Sequence, residues 1–334
     1  RSNKRRWRVY IHQITIRNIR SIKTLDISFA EVPYAGWHVF LGDNGAGKST
    51  LIRSIALGLT GPSEAAALRQ NWNDWLQLKK NAGRIRLQIE QDPKLDKATG
   101  KGSQITRSYL SASLLFARNE SSGSVSMEAG RGAQAKRYWW GEGRGWFCAS
   151  YGPFRRFSGG DNSHTKLFYS HPHLAPHLSA FGEEIALTEC IGWLQSLHVK
   201  RLEGSQSDGQ LLESLKKFLN EGGLLPHGAQ LHDVSSEGVV FKDGNGNPVN
   251  VTLLSDGFRS ILSMTFELIR QMTLVYKTEK VFEVEPGSGN LVVGMPGVVL
   301  IDEIDAHLHP TWQLRVGYWF RKYFPKVQFI VTTH

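Results

Sequence analysis

The 334 residues carry 40 Lys and Arg against 30 Asp and Glu, a formal net charge of +10, with 40% hydrophobic and 21% charged side chains. That is the balance of an ordinary globular chain with one large domain or two lobes around a shared sheet, and no apolar run is long enough to span a bilayer. The two cysteines, Cys148 and Cys190, form no CxxC pair, which excludes a disulfide framework or cysteine zinc site and predicts reduced thiols.

In chain order, a basic tail over Arg1 to Arg8 is followed by no apolar signal core, so a cytoplasmic location and no membrane partner are expected. Val9 to Ile16, Ile22 to Phe29 and Trp37 to Leu41 read as strands. A glycine-rich turn over Gly42 to Gly47 leads into helical periodicity over Lys48 to Gly58. Ser63 to Lys80 is expected to form a second helix, with Trp72 and Trp75 on it, and Arg84 to Glu90 a strand. From Gln91 to Gly145 the chain is rich in Gly, Ser and Lys, with Ser121 to Gly132 read as a flexible loop or hairpin tip. Trp146 to Tyr151 is expected to return to the core, and Phe157 to His177 to be a loop.

Helices are predicted over Phe181 to Leu197, Gly209 to Leu219 and Ser260 to Tyr276, with a hairpin of Val239 to Phe241 and Val249 to Leu253 around Asp243-Gly244-Asn245-Gly246. Val298 to Ile301 and Val327 to Thr332 are apolar runs suited to a central sheet. Both ends look cut: Arg1 is no initiator methionine, and the chain stops directly after a strand.

Gly42-Asp43-Asn44-Gly45-Ala46-Gly47-Lys48-Ser49-Thr50 fits GxxxxGK[ST] between a strand and a helix. Gly42, Gly45 and Gly47 let the backbone wrap phosphate oxygens so that successive N–H groups, Asn44 and Thr50 among them, point inward. The helix adds the positive end of its dipole. Lys48 is expected to reach the β- and γ-phosphates of ATP, and Ser49 to give its hydroxyl to Mg²⁺. Downstream, the apolar run Val298 to Ile301 ends in Asp302 and Glu303. Two adjacent carboxylates at a strand end repel each other unless a metal lies between them and phosphate. Asp302 is the expected Mg²⁺-shell ligand and Glu303 the residue that polarises the attacking water. The next strand delivers His334, a candidate catalytic partner of the γ-phosphate or the water.

These motifs, in this order, resemble the ABC-type ATPases of the SMC, RecF and OLD kind, and among them the stand-alone ATPases of Septu-type antiphage systems. Asn18 and Arg20 in Ile16-Arg17-Asn18-Ile19-Arg20 are similar to the family's Asn-x-Arg element near the nucleotide. Leu254-Ser255-Asp256-Gly257-Phe258-Arg259 occupies the place of the LSGGQ signature, with Ser255 and Gly257 retained in kind. Asp302 to Pro310 resembles the D-loop region, with Trp312 and Gln313 following. Gln88, or the segment Ala149 to Arg156, stands where a Q-loop is needed.

The resemblance implies an α/β P-loop fold: an ABC-type head with a mixed sheet, central parallel strands and a helical signature lobe. After the tail over 1–8, the first lobe would run over 9–180 with the phosphate loop and a basic, aromatic insertion. The second, over 181–334, would carry the signature and return to the Walker B and histidine strands. It further implies a homodimer or higher oligomer around shared ATP, and an effector nuclease or other effector protein as partner. Two outputs stay open: a DNA-directed antiphage complex, or a switch that restrains a toxic effector without touching DNA. The basic balance favours anionic partners. Arg137-Tyr138-Trp139-Trp140 and Gly143-Arg144-Gly145-Trp146 suit base stacking, a protein hot spot or simple packing against the lobe.

Overall fold

The computed structural model describes residues 9–100, 108–140, 146–154, 170–182, 189–225, 228–277, 281–306 and 308–334. The basic tail, Gly143 to Gly145, Arg155, Arg156 and His307 lie outside the described residues. No helix among the described residues is long and apolar enough to cross a membrane.

β1 (Ile11–Ile19) turns into β2 (Ile22–Ser28), and β3 (Gly36–Leu41) runs through the glycine turn into α1 (Lys48–Thr60). β4 (Ala82–Glu90), β5 (Tyr109–Arg118) and β6 (Val125–Ala129) extend the first hairpin into an antiparallel sheet of order β2-β1-β4-β5-β6. Period-two alternation builds it. Ile14, Ile16, Ile85, Leu87, Leu114 and Phe116 are fully buried, and Arg84 and Arg86 between them point the other way. The buried face joins one core with Leu51, Ile52 and Ile55 of α1.

β7 (Phe147–Tyr151) is followed by α2 (Glu189–Leu202) and α3 (Gln206–Glu221). A small antiparallel sheet of β8 (Gln230–Ser235), β9 (Gly238–Lys242) and β10 (Pro248–Asn250) precedes the long helix α4 (Asp256–Tyr276). The hairpin of β11 (Phe282–Val284) and β12 (Leu291–Val293) leads to β13 (Gly297–Ile301), α5 (Val316–Tyr323) and β14 (Val327–Thr333). The central sheet is parallel throughout, in the order β3-β14-β13-β7. Its register brings Leu41, Thr333, Ile301 and Tyr151 to one edge, the carboxyl end where ligands bind in open α/β sheets. β3 and β7 come from residues 9–180 and β13 and β14 from residues 181–334, so the sheet draws on both halves of the chain.

Gln328 on β14 joins the two sheets. Its amide accepts from the Ile11 N–H at 2.8 Å and donates to the Ile11 carbonyl at 3.0 Å, so a side chain acts as a strand partner for β1. Below the sheet, His177 lies within 3.0 Å of Ser150 and 3.4 Å of Cys148, docking the 175–180 turn on β7. Neither cysteine forms a disulfide, and burial pushes the Cys148 thiol up to about 12 and the His177 imidazole down to about 3. Such a pair is neutral and structural, with no activated nucleophile.

Two expectations need correction. Ser63 to Lys80 is not one helix: it breaks into a single α-helical turn at Pro62–Ala65 and 3-10 turns at Ala66–Leu68 and Trp72–Asp74. Arg69 and Lys79 take positive φ, and the Asn71 side chain accepts the Asn73 N–H, offering the backbone an alternative to a helix. Ser121 to Gly132, read as a flexible loop or hairpin tip, holds the end of the β5–β6 hairpin turn and β6 itself, and β5, β8, β11 and β12 have no counterpart in the sequence reading. In β5 the apolar residues form a near-continuous run, which hides the alternation of a strand.

The aromatics after Arg137 are packing elements. Tyr138, Trp139 and Trp140 are buried, and the Trp140 indole donates to the Gly58 carbonyl at 3.0 Å. Gly61 ends α1 at φ 85°, and a Cβ there would lie 2.6 Å from the Trp140 ring. Only glycine fits that approach.

Candidate active site

The phosphate loop leaves the carboxyl end of β3 and enters α1 at Gly47, whose φ of 96° is left-handed. A Cβ on Gly47 would stand 2.9 Å from Ser21 Oγ, so the loop and the β1–β2 turn are in close approach. Lys48 folds back over the loop, donating to the carbonyls of Gly42 and, at 3.0 Å, of Asp43. Its ammonium lies 3.3 Å from His334 Nδ1. A cavity of about 230 Å³ opens there, lined by Ser21, Asp43, Asn44, Gly45, Gly47, Lys48, Ser49, Thr50 and Glu303.

Glu303 follows β13 at φ 46°, a conformation that costs a non-glycine residue energy and clusters at functional sites. What holds it is Thr332: its hydroxyl accepts the Glu303 N–H at 2.9 Å and donates to Asp302 Oδ1 at 2.6 Å. Asp302 is 2% exposed, and its own N–H donates to the Tyr151 carbonyl at 2.8 Å. His334 Nε2 stands 3.8 Å from Glu303 Oε1. Lys48, Glu303 and His334, far apart in sequence, therefore meet at one mouth. Asp302 lies behind them.

The other site candidates are distributed differently. Asn18 and Arg20 take positive φ in the β1–β2 turn, but Asn18 donates to the Ala82 carbonyl at 3.0 Å and the Arg20 guanidinium lies 4.3 Å over Trp75. Burial, and then Arg53, lower the Arg20 pKa. It is Ser21, at the end of that turn, that lines the phosphate cavity. Ser255 and Gly257 open α4 and line a second, apolar cavity of about 480 Å³ with Phe258, Leu308, His309 and Trp312. The two cavities share no lining residue. Gln88 pairs with Gln13 and Ser111 inside the antiparallel sheet, whereas the segment after Tyr151 emerges beside Asp302 at the sheet edge.

The donor set fits a triphosphate with Mg²⁺. The cavity offers an ammonium, hydroxyls and turned backbone N–H groups to phosphate, and hydroxyl and carboxylate oxygens to a hard cation. Ser21 and Thr332 escaped the sequence reading. A hydroxyl two residues before the strand-end histidine was the available signal for Thr332.

Fold and site together define a P-loop ATPase domain. The chain belongs to the family described as "AAA domain, putative AbiEii toxin, Type IV TA system", whose model matches residues 157–334, and residues 13–134 match a second family described as "AAA domain". The Septu protein PtuA of Bacillus mycoides (strain KBAB4) is 26% identical over 329 residues, covering 97% of this chain and 38% of that protein. The "Retron Ec83 probable ATPase" of Escherichia coli is 41% identical over 92 residues, 28% of this chain and 15% of that protein. The chain thus spans well under half the length of these relatives. An SMC head domain with an extended coiled coil from Pyrococcus furiosus, solved with the C-terminal domain of ScpA, shares the fold at a TM-score of 0.51. Its identity is 15%, over 97% of this chain and 89% of that one.

Proposed function

We propose that this ATPase dimerises on ATP and couples hydrolysis to a DNA-directed antiphage complex that includes a nuclease effector. The observation that carries the dimer is the separation of the two cavities: Ser255 and Gly257 share no wall with the phosphate loop of their own subunit. A signature that suits anion capture at the start of α4, yet faces elsewhere, has a use when a second subunit brings its nucleotide to it. The Septu and retron relatives support the antiphage setting, and the net charge of +10 supports a nucleic-acid load.

In this reading the loop amides, Lys48 and Thr50 grip the phosphates, while Asn18 and Arg20 support the loop from behind through the turn that ends at Ser21. Ser49 and Asp302 would hold Mg²⁺, which when bound neutralises charge on the phosphate oxygens. Glu303 orients and polarises the attacking water, and His334 shares a hydrogen bond with it or with the γ-phosphate.

The test is ATP-dependent binding to duplex DNA, measured for the chain alone and with the protein encoded beside its gene. Binding that requires ATP supports the reading. No DNA binding in either case, with ATP-dependent capture of the neighbouring protein, replaces it with a nucleotide-gated switch on a protein effector.

A further inference from the structure

The outer face of the antiparallel sheet has no role in the site described above, and its chemistry is uneven. Arg17 and Arg84 are direct cross-strand partners of β1 and β4, and Arg86 follows two residues along the same face. Like charges directly opposite are destabilising in a sheet. Of the three arginines Asp26 answers Arg17, with contacts of 2.8 and 2.6 Å, and it also accepts from Thr15. Arg84 and Arg86 are exposed and make no hydrogen bond or ion pair among the described residues. The one further exposed acid on the described strands of this sheet is Glu128, at the β6 rim.

We propose that this face, centred on Arg84 and Arg86, binds the backbone of single-stranded nucleic acid. The inference rests on the DNA-directed reading and names the surface that meets the load. Five strands about 4.8 Å apart make a face about 19 Å wide, open over β2, β1 and β4 and closed on β5 at Ser113, which is buried beside Arg86. That is too broad to enter a major groove about 12 Å wide, whereas an unpaired strand lies across it. Arg84 and Arg86 sit about 6.6 Å apart along β4, on the scale of successive phosphates in an extended strand. Gln13 and Gln88 on the same face supply uncharged donors beside them, while the Thr15 hydroxyl is engaged by Asp26.

The position also connects load to motor. From Arg17 the chain passes in one turn, through Asn18 and Arg20 at positive φ, to Ser21 in the phosphate cavity. A strand seated on Arg17 and Arg84 pulls on the turn that backs the phosphate loop.

The experiment is fluorescence anisotropy of a labelled oligothymidylate and of a labelled duplex with the chain, its Arg84→Glu/Arg86→Glu variant and the milder Arg84→Gln/Arg86→Gln variant. Affinity for an ATP analogue serves as the control for folding. The expected result is preference for the single strand, an affinity loss of at least about 10-fold in both variants, and a salt slope shallower by about 1.4 at two lost phosphate contacts. Unchanged nucleotide affinity should accompany it. Oligonucleotide binding that ignores both variants overturns this surface while leaving the DNA-directed reading intact. A preference for duplex overturns the single-strand assignment, and no binding of either probe overturns the surface; the DNA-directed reading falls with it only where the chain together with the protein encoded beside its gene also binds neither probe.

Discussion

Thr332 Oγ1 donates to Asp302 Oδ1 at 2.6 Å and accepts the Glu303 N–H at 2.9 Å, so one hydroxyl on β14 holds both carboxylate residues at the end of β13. The left-handed φ of Glu303 persists because this contact over-determines it.

Thr332→Val keeps the shape and removes the hydroxyl. A buried carboxylate loses a charge-assisted donor, and the variant should lose about 2 kcal/mol of stability in urea unfolding. ATP turnover should fall further than nucleotide affinity, and Thr332→Ser should restore both.

Lys48→Ala removes the cation that bridges the loop carbonyls and faces the cavity. Two lost charge-assisted bonds amount to about 3 kcal/mol, or about 100-fold in affinity for a fluorescent ATP analogue.

The phosphate loop, the Walker B strand and the strand before His334 were legible because each is a short contiguous pattern bound to one local geometry. What was not legible is what crosses the chain. Thr332 matters only because β14 lies beside β13, and Ser21 only because the β1–β2 turn abuts Gly47. The 63–80 segment misled through Trp72 and Trp75, whose helical spacing serves packing against Phe116. β5 lost its alternation because apolar residues recur on both its faces.

Gln328→Leu tests the joint between the two sheets. It leaves the Ile11 N–H and carbonyl without their partner in a buried setting, at a cost of about 2–4 kcal/mol read by denaturant midpoint. Hydrogen exchange at Ile11 should accelerate with it.

Asp96 supplies a pH signature. It is buried, and burial raises its carboxyl to about 7 from an ordinary value of 3.8. Between those values the native state holds a proton that the unfolded chain has lost. Stability therefore falls as pH rises from about 4 to about 7, by at most about 1.4 kcal/mol per unit. Asp96→Asn should gain on the parent as pH rises through that window and stay level above it, measured by urea unfolding across the range.

The account stands on Glu303 at the mouth of the phosphate cavity, 3.8 Å from His334. Glu303→Gln keeps shape and hydrogen bonding while removing the charge that polarises water. Single-turnover ATP hydrolysis, run with light scattering for mass, tests it most directly. The predicted result is near-complete loss of turnover in Glu303→Gln with ATP affinity retained and a stable ATP-bound dimer. Equal hydrolysis rates in variant and parent would contradict it.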